Sequence, residues 1–223
     1  MQISYLSKDE YRVSDVQLSN LHDHKFCVFD FEGTGIHFET ECITQIGAVL
    51  VEDSSIHTTC AFNSLVRSPK PIPPAIEELT GITNQDMWNT PTFPEVYENF
   101  ILFTRDTVLV TQAGYEYDVP LLEKYCREHQ LPMLPNPILD TKALFTYLHP
   151  DIPDVISTDF LIRYYAIDIG DVKRHDALGD CTIIGKIFIE IMEEYKERAI
   201  KDLQINNLHV KRFIIPGMYL GDG

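Results

Sequence analysis

The stretch FCVFDFEGTG, residues 26–35, constrains the fold more than any other part of the chain. Phe26, Cys27, Val28 and Phe29 read as a buried strand. Alternate residues of a strand share a face, so Asp30 and Glu32 project together just before the turn Gly33-Thr34-Gly35. Two like charges side by side need a reason. A strand end opening into solvent supplies one, and a divalent cation held between the carboxylates supplies another.

The following segments CITQIGAVLVED and HTTCAFNSLV are rich in β-branched and apolar residues, with turn-like EDSSI between them. Residues 26–66 are therefore expected to form three consecutive antiparallel strands. After the proline-rich link RSPKPIPP the texture changes: AIEELTG is a short helix closed by Gly81, and TFPEVYENFILFTR carries Phe93, Val96, Tyr97, Phe100 and Phe103 at helical spacing. TVLVT reads as a strand, DVPLLEKYCREHQ as a helix, NPILDTKALFTYL as a strand running into a helix, and TDFLIRYYAI as another helix. The last long helix starts near Asp176, with Ala177, Cys181, Ile184, Phe188 and Ile191 on one stripe.

This order predicts an α/β fold, a mixed five-stranded sheet with three consecutive antiparallel strands, then parallel strands, and helices on both faces. With 223 residues, 44% of them apolar, the chain can build one such domain. The expected division is an N-terminal extension at 1–24, the domain at 25–203, and a C-terminal tail at 204–223 that packs on its own domain or on a partner.

The 18 basic and 34 acidic residues give a net charge of -16, which argues against a broad electropositive surface for duplex DNA. It does not exclude a nucleic-acid enzyme, because carboxylates around a divalent ion attract phosphate once the ion is bound. No apolar run approaches the ~18 residues of a membrane span, and MQISYLSKDEYRV lacks the layout of a signal peptide. A cytoplasmic location without a membrane partner is expected. The five cysteines, Cys27, Cys42, Cys60, Cys126 and Cys181, lie far apart with no C-x-x-C pair, and are expected to be small buried apolar residues.

In such a sheet, ligands gather at strand ends. Asp118 in TVLVTQAGYEYDVPLL follows a buried strand and opens a helix, where taken alone it reads as a helix cap. In KRHDALGDCTIIGKIF, His175 precedes the long helix and Asp180 lies in its first turns. A five-residue step rotates a helix by about 500°, so His175 belongs on the lead-in loop if the two are to meet. There an imidazole can take a proton from water beside a fixed carboxylate; a surface histidine next to a capping Asp176 is the alternative.

Together, DFEGTG, YEYDVPLL and HDALGD resemble the three motifs of the DEDDh 3'-5' exonuclease family, which includes the proofreading epsilon subunit of DNA polymerase III. IEELTGITNQDMWNTPTF looks like the family's Leu-Thr-Gly-Ile segment between the first two motifs. The resemblance covers residues 25–195 and implies a ribonuclease H-like fold. It also implies that Asp30, Glu32, Asp118 and Asp180 hold two Mg²⁺ or Mn²⁺ ions, with His175 as general base. Two such ions ~3.5–4 Å apart activate the attacking water and shield the departing oxygen.

Within the resemblance, Thr34 and Gly35 approach the terminal nucleotide through their backbone, and Leu79, Thr80 and Ile82 are candidates to flank its base, although core packing explains them as well. Gly33 stands where the family has Thr or another small residue, and Gln112-Ala113 replaces a His-Asn pair, which should weaken or re-aim substrate binding near Gln112. Lys173 and Arg174 are the basic pair placed to meet a phosphate. The expected substrate is a single-stranded or frayed 3' end, DNA favoured over RNA, released as 5'-monophosphates. An enzyme of RNA or short oligonucleotides is the first alternative. A silent accessory module of a polymerase or repair complex, bound through residues 204–223, is the second.

Overall fold

The computed structural model describes residues 1–213. Its main sheet is built from β4 (Phe26–Gly33), β5 (Ile43–Glu52), β6 (Ser55–Leu65), β7 (Val108–Thr111) and β8 (Ile138–Asp140) in the spatial order β6-β5-β4-β7-β8. The β4–β5 and β5–β6 pairs are antiparallel, whereas β7 and β8 join in parallel, as the sequence pattern predicts. Six helices accompany it: α1 (Pro74–Thr80), α2 (Phe93–Phe103), α3 (Asp118–Glu128), α4 (Thr141–Leu148), α5 (Thr158–Tyr164) and α6 (Ala177–Glu197). Among the described residues no helix is long and apolar enough to cross a membrane.

The two faces of β4 are sorted by its period of two. Phe29 and Phe31 pack edge-on against Phe100 of α2, with ring centroids 6.2 Å apart in each pair. Phe26, on the opposite face, meets Phe188 of α6 at 4.7 Å. Asp30 and Glu32 share parity with Phe26, so they must face α6, whose first turn carries Asp180. A bare backbone makes this approach possible. Gly47 of β5 pairs with Asp30, and a Cβ there would lie 2.4 Å from the Ala177 carbonyl carbon, so any side chain would drive the start of α6 off the sheet.

The chain termini form structure that the sequence pattern does not foresee. Within residues 1–24, β1 (Gln2–Tyr5), β2 (Glu10–Ser14) and β3 (Val16–Leu18) are strands, and β9 (Leu203–Ile205) and β10 (Leu208–Lys211) are their partners from the far end of the chain. Antiparallel β1-β2-β10 and β3-β9 result, and Tyr11, Val13, Leu203, Ile205 and Val210 join the main core. Residues 204–213 thus pair on their own chain, while the rest of the expected tail, 214–223, lies outside the described residues. One further expectation needs correction: Cys27, Cys42, Cys126 and Cys181 are buried, but Cys60 is exposed. It lies on β6, an edge strand paired on one side only, where one face is open to solvent.

Candidate active site

Three of the predicted acids meet at the end of β4. Single carboxylate oxygens of Asp30, Glu32 and Asp180 all lie within 4.8 Å of one another. Asp118 stands beside this group without joining it: it occupies the first turn of α3 behind the cap residue Tyr117, and its Oδ2 accepts the Thr111 hydroxyl at 2.8 Å. That bond anchors its side chain to the end of β7 instead of to the helix N-terminus. Asp118 is therefore no cap.

Burial pushes the Asp30 carboxyl well above the usual carboxylate range, and repulsion from Asp118, Glu32 and Asp180 adds to the shift. Glu32 is raised to about 8, first by burial and then by Asp180 and Asp118. Asp118 is raised to about 7 by burial, against the opposing hydrogen bond from Thr111. A shortage of positive charge is written into these acids, since partly buried carboxylates stay ionised together only beside cations. The oxygen-only donor set and its spacing fit a hard divalent ion such as Mg²⁺ or Mn²⁺.

One cation does reach the cluster. Arg174 donates from Nε to Asp180 Oδ1 at 2.7 Å and from Nη1 to Asp159 at 2.8 Å, while the His175 N–H donates to Asp180 Oδ2 at 2.8 Å. Lys173 turns away and donates to the Thr80 carbonyl at 2.6 Å, tying the histidine loop to the end of α1. Lys173 and Arg174, the pair expected to meet a phosphate, both hold protein oxygens here, and Arg174 does so on the wall shared by the groove and the acid pocket. His175 lies on the lead-in loop ahead of α6, in the left-handed region at φ 56°, with the residue exposed.

A groove of about 540 Å³ runs beside the acids and shares Glu32, Gln112, Arg174 and His175 with the acid pocket. Gly35, Leu79 and Thr80 line it as expected. Ile82 does not: beyond Gly81, which is left-handed at φ 76°, the chain turns inward and Ile82 is buried against Ile72 and Met87. Thr34 is fully enclosed, donating its hydroxyl to Glu41 and accepting the Cys42 N–H, so it shapes the turn from within. Gln112 is buried with both ends of its amide engaged, the nitrogen on the Ile156 carbonyl at 3.2 Å and the oxygen accepting the Thr141 hydroxyl.

Sequence reasoning missed Tyr117, Ile156 and Phe213, which also line the groove. Tyr117 explains Gly33. Its hydroxyl donates to the Gly35 carbonyl at 2.7 Å and would lie 2.1 Å from a Cβ on residue 33, so glycine and tyrosine are matched across the turn. The aromatic residue directly before Asp118 was the available signal. No local pattern could have announced Phe213.

Comparisons with known proteins agree with this geometry. The model of the exonuclease family (RNase T type) matches residues 27–188. The chain is 34% identical over 175 residues to the DNA polymerase III subunit epsilon of Aquifex aeolicus, covering 78% of this chain and 84% of that protein. It is 31% identical over 195 residues to the PolC-type DNA polymerase III of Clostridium perfringens, covering 85% of this chain but only 13% of that much longer polymerase. Among solved structures, the nuclease domain of 3'hExo, a DEDDh family member bound to rAMP, superposes with a TM-score of 0.67 at 19% identity, over 77% of this chain and 92% of that one. Exonuclease X in complex with 5' overhanging duplex DNA gives 0.62 at 23%, over 77% and 93%.

Proposed function

Because the chain belongs to the DEDDh 3'-5' exonuclease family, we propose that it removes nucleotides one at a time from single-stranded or frayed 3' ends, DNA preferred, and releases nucleoside 5'-monophosphates. The observation that carries this reading is the meeting of Asp30, Glu32 and Asp180 within 4.8 Å, beside an exposed His175 on the wall of a long groove.

Asp30, Glu32 and Asp180, with Asp118 beside them, would hold two divalent ions, Mg²⁺ or Mn²⁺. Such ions, when bound, supply Lewis acidity toward water and the phosphate and offset the charge that builds on the leaving oxygen. His175 accepts the proton of the attacking water, and its place on a loop ahead of α6 lets the ring move while Asp180 stays fixed by the helix. The water oxygen bonds to phosphorus, the bond to the upstream 3' oxygen breaks, and that oxygen leaves as a new 3' hydroxyl after taking a proton from solvent. The groove receives the strand. Its apolar wall, with Leu79, Ile156 and Tyr117, suits unpaired bases, and this reconciles nucleic-acid binding with a net charge of -16.

The test is digestion of single-stranded DNA and RNA of one sequence, labelled at either end, with Mg²⁺, Mn²⁺ or EDTA, beside His175→Ala. A metal-dependent ladder shortening from the 3' end, faster on DNA and lost in the variant, is expected. Faster shortening of RNA or of very short oligonucleotides would replace the DNA preference. No cleavage by a folded, metal-binding protein would make it an accessory module.

A further inference from the structure

Phe213 occupies a place that core packing does not explain. Strand β10 ends at Lys211; the Arg212 N–H then donates to the Asp9 carbonyl at 2.8 Å, and the Phe213 N–H donates to Glu116 Oε2 at 3.0 Å. Glu116 is itself fixed, since its Oε1 takes the ammonium of Lys142, a fully buried side chain, at 2.5 Å. The Arg212 guanidinium lies 4.7 Å from the Tyr5 ring centroid and 4.0 Å from Glu116, closing the same knot. The Phe213 backbone is thus held by Glu116 directly and through its neighbour Arg212, yet its ring is 47% exposed on the groove wall. A large apolar ring carried on a fixed backbone and left open to a channel offers a surface to a flat apolar partner, with only its own side-chain torsions left to order on binding.

Its position narrows the partner. Glu32, Gln112, Arg174 and His175 line both the groove and the acid pocket, whereas Phe213 lines the groove alone. Phe213 therefore stands on the part of the groove that the acid pocket does not share, where a strand with its scissile phosphate at the acids would extend. We infer that Phe213 is a positioning residue that stacks on a base upstream of the nucleotide being removed, so that the paired chain termini build part of the substrate channel. This rests on the exonuclease reading.

The experiment uses the full chain, unaltered and as Phe213→Ala and Phe213→Trp, with two substrates: single-stranded oligothymidylate, and thymidine 5'-phosphate p-nitrophenyl ester, in which p-nitrophenol replaces the upstream strand. Loss of one base–aromatic stack should raise KM for the oligonucleotide about tenfold in Phe213→Ala, and Phe213→Trp should restore it to within about twofold. KM for the ester should not move, which a general loosening of the fold would not allow. Anisotropy of a fluorescent oligonucleotide bound in Ca²⁺ should weaken by the same factor. Unchanged KM and affinity in Phe213→Ala, or equal changes on both substrates, would overturn the inference while leaving the exonuclease reading intact. An unaltered chain that cleaves nothing, yet loses oligonucleotide affinity in Phe213→Ala, would overturn that reading and keep the stacking role.

Discussion

Glu116 and Asp118 are two residues apart on one loop and have opposite fates. Glu116 is balanced: it faces the ammonium of Lys142, the guanidinium of Arg212 and the N–H of Phe213. Asp118 receives the Thr111 hydroxyl but no cation, and burial, with Asp140 adding to it, raises its carboxyl to about 7. Nearby Asp140 makes a third case, as a buried carboxylate that accepts the N–H groups of Ala113, Tyr115 and Lys142 and still rises to about 6 through burial. Residue type and spacing do not separate a structural tie from a reactive centre. The surrounding charge does, because an acid cluster short of cations is stable only when something else supplies them.

The strongest way to break this contrast is at the acid pocket. Asp30→Asn should cut 3'-end shortening by about 10³-fold and at the same time raise the melting temperature of the metal-free protein, because it removes a repelled charge. Loss of both activity and stability would mean that the pocket is held together as Glu116 is. At the balanced site the sign reverses. Glu116→Ala strands the buried ammonium of Lys142 and should cost about 3 kcal/mol in urea unfolding, whereas replacing both partners by apolar residues should recover most of it.

Acidity sharpens the same comparison on a smaller scale. Glu32 and Asp118 hold protons more tightly when folded than when unfolded, so the stability they contribute to the metal-free protein is fully present below the usual carboxylate range and is lost as pH rises from there to about 7 to 8. Melting scans from about pH 4.5 to pH 8 in EDTA should show the fall, which the same scans of a Glu32→Gln variant should lessen, and a divalent ion should flatten it; an equal curve for the variant would contradict the charge shortage. The smallest effect concerns the matched turn. Gly33→Ala should destabilise by about 1 kcal/mol or more through overlap with the Tyr117 hydroxyl, and adding Tyr117→Phe should return part of it, measured as a double-mutant cycle.

The strands of the main sheet, the stripe on α6 and the pairing of Asp30 with Glu32 were legible because each follows a local period. His175 on its loop ahead of α6 was legible from helix geometry alone. Less could be read where partners are distant. The amide of Gln112, which lines the groove, is engaged by Thr141 and Ile156, and the Thr34 hydroxyl by Glu41 and Cys42, partners that no local pattern announces. Strands β1, β2 and β3 were hidden because they are short and because β3 finds its partner, and β2 its second partner, only near the other end of the chain.

The sequence by itself determined which acids end strands or open helices, and therefore which residues could be gathered, because strand and helix periods are properties of neighbouring residues. Only the tertiary structure decided which were gathered. The bare backbone of Gly47 lets α6 bring Asp180 to Asp30, Arg174 turns inward to Asp180, and the joined termini carry Phe213 to the groove. These outcomes depend on contacts between segments far apart in the chain, where packing and charge balance act and local pattern carries no information.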